Sequence, residues 1–241
     1  VPLYNIIDYD KELNNLIKIT DNESEDKRYF DFISKRKEKF KPHLKIPDVK
    51  LGSAISEDET KIAEIKELLT EYNMTFSADK YDIGLIKGYR YGVDLKNGAE
   101  AWYQPPRRIP PALQKDLTET FQAELDNDLL CPGNSSYNIP LVIIKRKDGR
   151  YRCCLDMRKG NSNIISSKYP LPDLQGILAQ IGEMITSAKG EKIYIASFDM
   201  NSAYRQLAVR EEDIQKFAFT FYNDKFPHQL ANKRMIFGVE D

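Results

Sequence analysis

The chain has 241 residues, of which 41% are hydrophobic, so it is long enough to bury the core of one or two subdomains. Its 36 Lys and Arg residues nearly cancel its 37 Asp and Glu residues, and the net charge of -1 by itself indicates no class of partner. Three cysteines without a C-x-x-C spacing exclude a disulfide framework and a zinc site, and their reduced thiols favour an intracellular protein. Because no apolar run reaches about 18 residues, membrane insertion is not predicted, and the first residues lack a secretory signal pattern.

Residues 1–55 are rich in charge and are predicted to be a linker, or an N-terminal extension packed on the domain that follows. Leu13, Leu16 and Ile17 indicate a short helix in this region. The charged block at residues 34–39 is of a kind that usually lies in solvent. Residues 56–241 form the second predicted unit.

Two helices are predicted at the start of that unit. Ser56 and Glu59 fit a capping box, which places a helix N-terminus at Ser56. The next helix is predicted after Pro110, because proline suits the first helical turn. Its apolar residues recur every four positions: Leu113, Leu117, Phe121, Leu125 and Leu129.

A basic hairpin is predicted next, with strands at residues 139–144 and 151–155 joined by an Asp-Gly turn. Residues 141–168 hold eight basic and two acidic residues. Lys145 and Arg146 lie near the tip and Arg152 on the returning strand, where cations can clamp a triphosphate. The alternative is a basic turn that faces solvent. Asp156 and Arg158 are predicted to form a structural ion pair on one face of the strand.

The last third mixes helices and strands, which indicates the α+β class. Asp173 is predicted to cap a helix whose buried stripe is Leu174, Ile177, Leu178 and Ile181. Residues 193–198 are predicted to form a strand with Asp199 at its end, either as a reactive carboxylate or as a cap. A short helix with an acidic first turn and a strand at residues 217–222 are predicted after it.

Six short sequence segments follow one another along the chain, and they fall in different predicted elements. They are KDG at 147–149, YRCCLDMR at 151–158, KYPLP at 168–172, SFDMNSAYRQ at 197–206, FAF at 217–219 and MIFGV at 235–239. In this order and at these gaps they resemble the motifs of reverse transcriptases from gypsy-class LTR retrotransposons and retroviruses. The resemblance covers approximately residues 60–241 and implies the fingers of a right-hand polymerase together with an incomplete palm sheet.

The resemblance also implies roles for individual residues. Asp199 matches the first of three catalytic aspartates, which bind two Mg²⁺ ions. Arg152, together with Lys145 or Arg146, matches the residues that bind the triphosphate of the incoming nucleotide. Tyr204 matches the aromatic residue that excludes a ribose 2′-hydroxyl. Gln206 lies in the same motif, without a specified role. The implied partners are an RNA or DNA template-primer, dNTPs and the rest of a Pol polyprotein, in the cytoplasm, a retroelement particle or the nucleus.

The chain also departs from the family pattern. Phe217 replaces the Thr of T-A-F, and Ile236 replaces the Pro of M-P-F-G-L. The 241 residues contain no aromatic-x-Asp-Asp segment, which in the family supplies the other two carboxylates, so this chain alone is expected to be inactive. Two alternatives stay open: a retroelement-derived module that binds nucleic acid or protein without catalysis, and a relic without function.

Overall fold

The computed structural model describes residues 23–40, 50–56, 58–145, 147, 151–166, 173–190, 193 and 195–239. The described residues form helices and short, mainly antiparallel sheets, which confirms the α+β class. The helices are α1 (Glu23–Phe40), α2 (Ser53–Ser56), α3 (Glu59–Glu71), α4 (Pro111–Asp126), α5 (Arg158–Asn161) and α6 (Leu174–Ser187). The strands are β1 (Arg90–Tyr91), β2 (Leu130–Gly133), β3 (Leu141–Lys145), β4 (Tyr151–Leu155), β5 (Ala208–Val209), β6 (Ala218–Phe219) and β7 (Gln229–Asn232). Short 3₁₀ helices occur at Asn73–Thr75, Ala203–Gln206 and Glu211–Phe217.

The cap predicted at Ser56 is wrong, although a helix does begin nearby. Ser56 ends the four-residue helix α2, and α3 begins at Glu59 with Asp58 as its N-cap. The Asp58 carboxylate accepts a hydrogen bond of 3.2 Å from the backbone NH of Lys61. A carboxylate at this position also interacts favourably with the positive end of the helix dipole, which explains why Asp58 caps the helix.

Helix α4 confirms the prediction that a helix follows Pro110. Pro110 is the N-cap residue and Pro111 occupies the first turn. The buried residues of α4 are Leu117 and Phe121. The ring of Phe121 packs 5.2 Å from that of Phe219 in β6, so α4 covers one side of the core.

Within the described ranges, the strands form three small sheets. β2, β7 and β6 form an antiparallel sheet in that order, β3 pairs with β4 as the predicted hairpin, and β1 pairs with β5 in parallel. The strand predicted at residues 217–222 is shortened to β6, because Phe217 closes the preceding 3₁₀ helix. The loop that joins β3 to β4 falls largely outside the described residues.

Two apolar clusters form the core of the part of the chain that the structure describes. One surrounds Trp102, which is 2% exposed, and the other lies between α4 and the sheet of β2, β7 and β6. Leu155 of β4 packs against both clusters, so the hairpin is joined to the same body. This arrangement fixes the positions of the hairpin and of the segment after β7 relative to each other.

The charged block at residues 34–39 of helix α1 is exposed as predicted, except at Arg36. The Arg36 side chain is only 10% exposed and pairs with Asp82, whose side chain is fully buried. The same guanidinium donates to the backbone oxygen of Met74 at 2.6 Å. The division of the chain near residue 55 stays a prediction, but α1 contacts residues on the far side of it. The helix predicted around Leu13 lies outside the described residues.

Helix α6 begins as predicted, but its environment differs from the prediction. The Asp173 carboxylate accepts a hydrogen bond of 2.8 Å from the backbone NH of Gly176, which confirms the cap. The predicted burial of its apolar stripe is wrong, since Leu174 is 70% exposed and Leu178 57% exposed. The amphipathic pattern locates an apolar face but does not provide the element that would cover it.

The strand predicted at residues 193–198 is also wrong. Residues 193 and 195–198 adopt no strand structure, and Phe198 is 82% exposed. A strand requires a neighbour to pair its backbone NH and C=O groups, and these residues pair with none within the described part of the chain. Among the described residues, no helix is long and apolar enough to cross a membrane.

Candidate functional site

Arg152 and Phe237 are in contact near the loop end of the basic hairpin. Arg152 lies in β4 opposite Ile144 of β3, and its guanidinium carbon stands 5.1 Å from the centre of the Phe237 ring. This distance is that of a cation–π contact, which holds the guanidinium in a defined place while leaving its NH groups available. Lys145 lies exposed at the end of β3. Arg146 lies outside the described residues.

Tyr204 contacts the same phenylalanine. Its ring lies 5.6 Å from the Phe237 ring at an interplanar angle of 85°, an edge-to-face contact. Phe237 is 58% exposed and Tyr204 49% exposed, so both rings are accessible from solvent. The structure therefore brings together Arg152 and Tyr204, which are 52 positions apart in the sequence.

Phe237 is the residue that the sequence analysis did not select. Its only signal was its place in the MIFGV segment, which follows β7. Met235 and Ile236, the residues before it, are buried, and they fix the backbone from which the exposed Phe237 ring projects. The contact with Arg152 depends on the packing of β4 and β7 into one core, which local sequence patterns do not determine.

A cleft of about 330 Å³ lies beside these residues. Its described lining residues include three cationic side chains and one carboxylate, Glu124. The cations are Lys80, Arg152 and Arg205. The Arg205 guanidinium is paired with Glu124, so the charge that is left uncompensated in the cleft comes from Lys80 and Arg152. A cleft with this charge favours an anionic ligand such as a phosphate group.

The thiol of Cys153 also lines this cleft. Burial raises its pKa to about 12. A thiol with this pKa stays protonated at neutral pH, and only the thiolate is a strong nucleophile or metal ligand. Cys153 therefore contributes packing to the cleft and no covalent chemistry.

Gln206 points into the fold. Its amide nitrogen donates to the backbone oxygen of Asn201 at 3.0 Å, and its side chain packs against Gly84, where an added Cβ would lie 3.2 Å from the Gln206 side-chain oxygen. The Asn201 amide donates in turn to the Ser77 hydroxyl at 3.1 Å. These contacts attach the Ala203–Gln206 turn to the loop that follows α3.

Asp199 is exposed and makes no hydrogen bond or ion pair within the described ranges. Two Mg²⁺ ions a few ångströms apart need several carboxylates. Where the structure is described, no group of three or more His, Cys, Asp or Glu side chains comes together.

The predicted Asp156–Arg158 pair is present. Arg158 donates to Asp156 at 2.8 Å and 2.7 Å, and Arg107 donates to the same carboxylate at 2.6 Å. Hydrogen bonds from Arg158, and then from Arg107, hold the pKa of Asp156 well below its ordinary value. Arg158 begins helix α5, so the pair bridges the end of β4 to a helix rather than lying along a strand.

Comparison with known proteins gives relatives of one kind. The Pol polyprotein of the Drosophila melanogaster transposon opus is 30% identical over 151 residues, which is 58% of this chain and 14% of the relative. That of transposon 412 from the same organism is 25% identical over 186 residues, which is 74% of this chain and 14% of the relative. Retrovirus-related Pol polyproteins are homologues of this chain. No protein-family model matches it.

The fold is similar to that of a solved reverse transcriptase. A foamy viral protease-reverse transcriptase in complex with RNA/DNA hybrid matches with a TM-score of 0.58 and 16% identity, over 88% of this chain and 25% of that chain. The fold is therefore of the reverse transcriptase type. This chain spans 14% of the length of the two Pol polyproteins above, so the homology concerns one part of them.

Proposed function

We propose that this chain is the nucleotide-binding part of an RNA-directed DNA polymerase, made of the fingers and part of the palm. Arg152, with Lys145 or Arg146, grips the triphosphate of an incoming dNTP, and Tyr204 lies against its sugar. The template-primer is RNA or DNA, and the rest of a Pol polyprotein is the covalent partner.

The observation that carries this proposal is the cluster of Arg152, Phe237 and Tyr204 beside the cationic cleft. A nucleotide offers a triphosphate for the guanidinium, and a sugar and a flat base for contacts with the aromatic rings. The homology to Pol polyproteins and the reverse transcriptase fold support the same assignment.

Nucleotidyl transfer is not assigned to these 241 residues. Asp199 is proposed to supply one Mg²⁺ ligand within a longer Pol protein. One exposed carboxylate is too few to hold two ions, so the chain by itself is proposed to bind a nucleotide without joining it to a primer.

Calorimetric titration of the 241-residue protein with dCTP tests the binding proposal. Arg152→Ala removes charge-assisted hydrogen bonds worth roughly 1.5–3 kcal/mol, so the dissociation constant is expected to rise by at least about tenfold. Arg108→Ala is the matched control, because Arg108 is exposed and is not among the residues that line the cleft. Equal effects of the two substitutions would contradict the site.

Primer extension on a poly-rA template with Mg²⁺ tests the catalytic statement. The purified 241-residue protein is expected to incorporate no nucleotide. If the protein did incorporate nucleotide and Asp199→Asn abolished that activity, the chain by itself would catalyse nucleotidyl transfer and the proposal would be wrong.

A further inference from the structure

The turn that carries Tyr204 has little support from its own backbone. It is a 3₁₀ helix of four residues, Ala203–Gln206, and Ser202 before it has a left-handed φ of 50°. Short 3₁₀ segments are weakly stable, and a left-handed serine is unfavourable by itself. Residues 195–200, which lead into the turn, are all exposed and form no strand. After the turn, the Leu207 backbone oxygen accepts a hydrogen bond of 2.9 Å from the backbone NH of Met235, and side-chain contacts of the turn provide the remaining support for the Tyr204 ring.

Arg205 provides such a contact. Its guanidinium forms an ion pair of 2.7 Å with one oxygen of the Glu124 carboxylate and donates a hydrogen bond of 3.2 Å to the other oxygen. The side chains are 29% and 12% exposed, so the pair is partly shielded from water. Two contacts between planar groups fix direction as well as distance.

Glu124 and Phe237 belong to one rigid body. Glu124 lies in the last turns of α4, which leads within a few residues into β2. β2 pairs with β7 along its whole length, from Leu130 opposite Asn232 to Gly133 opposite Gln229. Phe237 follows β7 closely. Glu124, which pairs with Arg205, and the Phe237 ring, which Tyr204 contacts, are therefore held at a fixed distance from each other.

The other attachments of the turn lead elsewhere. Asn201 and Gln206 bind the loop after α3, through Ser77 and through the close approach to Gly84. The backbone NH of Ile86 also donates to the backbone oxygen of Gln206 at 2.9 Å. Without the pair to Glu124, the contact of Tyr204 with Phe237 would be left beside side-chain attachments that lead to this loop.

We propose that Arg205 is a positioning residue, which through Glu124 holds Tyr204 against Phe237 and so sets the discrimination between deoxyribonucleotides and ribonucleotides. The inference rests on the proposed function. In the motif A-aromatic-x-Q that the segment resembles, Arg205 occupies the variable position, so the resemblance assigns it no role. The alternative is that Arg205 itself binds the triphosphate, since it also lines the cleft.

The experiment compares dCTP and CTP, which differ by the 2′-hydroxyl, by calorimetric titration of the 241-residue protein. Arg205→Met, Arg205→Lys and Glu124→Gln are each expected to lower the dCTP preference by approximately tenfold, because an ångström-scale displacement of a positioned group has effects of this order or larger. Arg205→Lys keeps the charge but loses the planar guanidinium that contacts both carboxylate oxygens. Combining Arg205→Glu with Glu124→Arg is expected to restore part of the preference.

Lys233→Met is the matched control, because it removes a different ion pair, the one between Lys233 and Asp128, which does not involve the turn that carries Tyr204. Amide hydrogen exchange gives a second readout. The NH groups of Arg205 and Leu207 donate to Ser202 and Tyr204 oxygens at 2.8 Å and 3.1 Å. Their protection is expected to fall in the Arg205 and Glu124 variants and to stay unchanged in Lys233→Met.

The outcomes separate the two proposals. If the wild-type protein binds neither nucleotide, the proposed function fails and this inference fails with it. If the wild type prefers dCTP and Arg205→Met weakens the binding of dCTP and CTP equally, Arg205 is a phosphate ligand and the positioning role is overturned. An unchanged preference in Glu124→Gln overturns the inference alone.

Discussion

The buried pair of Arg36 and Asp82 allows the sharpest test of how α1 is joined to the rest of the chain. Asp82 is fully buried, and its carboxylate accepts hydrogen bonds from Arg36 and, at 2.8 Å, from the backbone NH of Ala78. Arg36 also donates to backbone oxygens of Met74 and Phe76, at 2.6 Å and 3.3 Å. One guanidinium therefore satisfies a buried carboxylate and the end of the loop after α3.

Arg36→Met keeps the apolar part of the side chain and removes these hydrogen bonds. Removing one partner of a buried pair leaves an uncompensated charge and costs about 3–5 kcal/mol. With an m-value of ~2 kcal/mol per M, the urea midpoint is expected to fall by about 2 M. In the double variant Arg36→Met/Asp82→Asn the loss is expected to be smaller than the sum of the single losses, because the buried charge is removed as well.

Urea unfolding is followed by circular dichroism and by the fluorescence of the single tryptophan, Trp102, which is 2% exposed in the core. Glu211→Gln is the control, because it removes the exposed ion pair that α1 makes through Arg28. An exposed pair contributes ~1 kcal/mol or less. The reasoning is refuted if Arg36→Met lowers the free energy of unfolding no more than Glu211→Gln does.

Two further predictions concern the hairpin and helix α6. The pKa of Asp156 is lowered from its ordinary value of 3.8 in the folded state, so its contribution to stability is present at neutral pH and is lost as pH falls below 3.8 toward the folded pKa. Urea midpoints measured from neutral to acid pH are therefore expected to fall less steeply in Asp156→Asn than in the wild type, and parallel curves would contradict this. In α6, Leu178 and Ile185 are each 57% exposed, and a cluster of exposed apolar side chains promotes association. The double variant Leu178→Lys/Ile185→Lys is expected to reduce self-association, measured by sedimentation velocity, with little change in the free energy of unfolding. Gln180→Lys is the control for added charge. If Gln180→Lys reduced self-association equally, the apolar face would not be its cause.

Local features of the fold were predictable from the sequence. The cap at Asp173, the helix that follows Pro110 and the β3–β4 hairpin each depend on residues only a few positions apart. Capping, proline geometry and strand alternation act over such distances, so a single sequence contains the information. The ordered motifs also predicted the reverse transcriptase fold and the homology to Pol polyproteins.

Only the tertiary structure decided which distant residues meet. Arg36 is buried by a partner 46 positions away, and Phe237 connects Arg152 to Tyr204 although no local pattern marked it. The same limit explains the wrong prediction at residues 193–198, where an apolar, β-prone segment has no neighbouring strand in the described residues. Burial and pairing depend on what the rest of the chain places beside a segment. The sequence by itself therefore determined the local elements and the family resemblance, whereas long-range packing decided the candidate site.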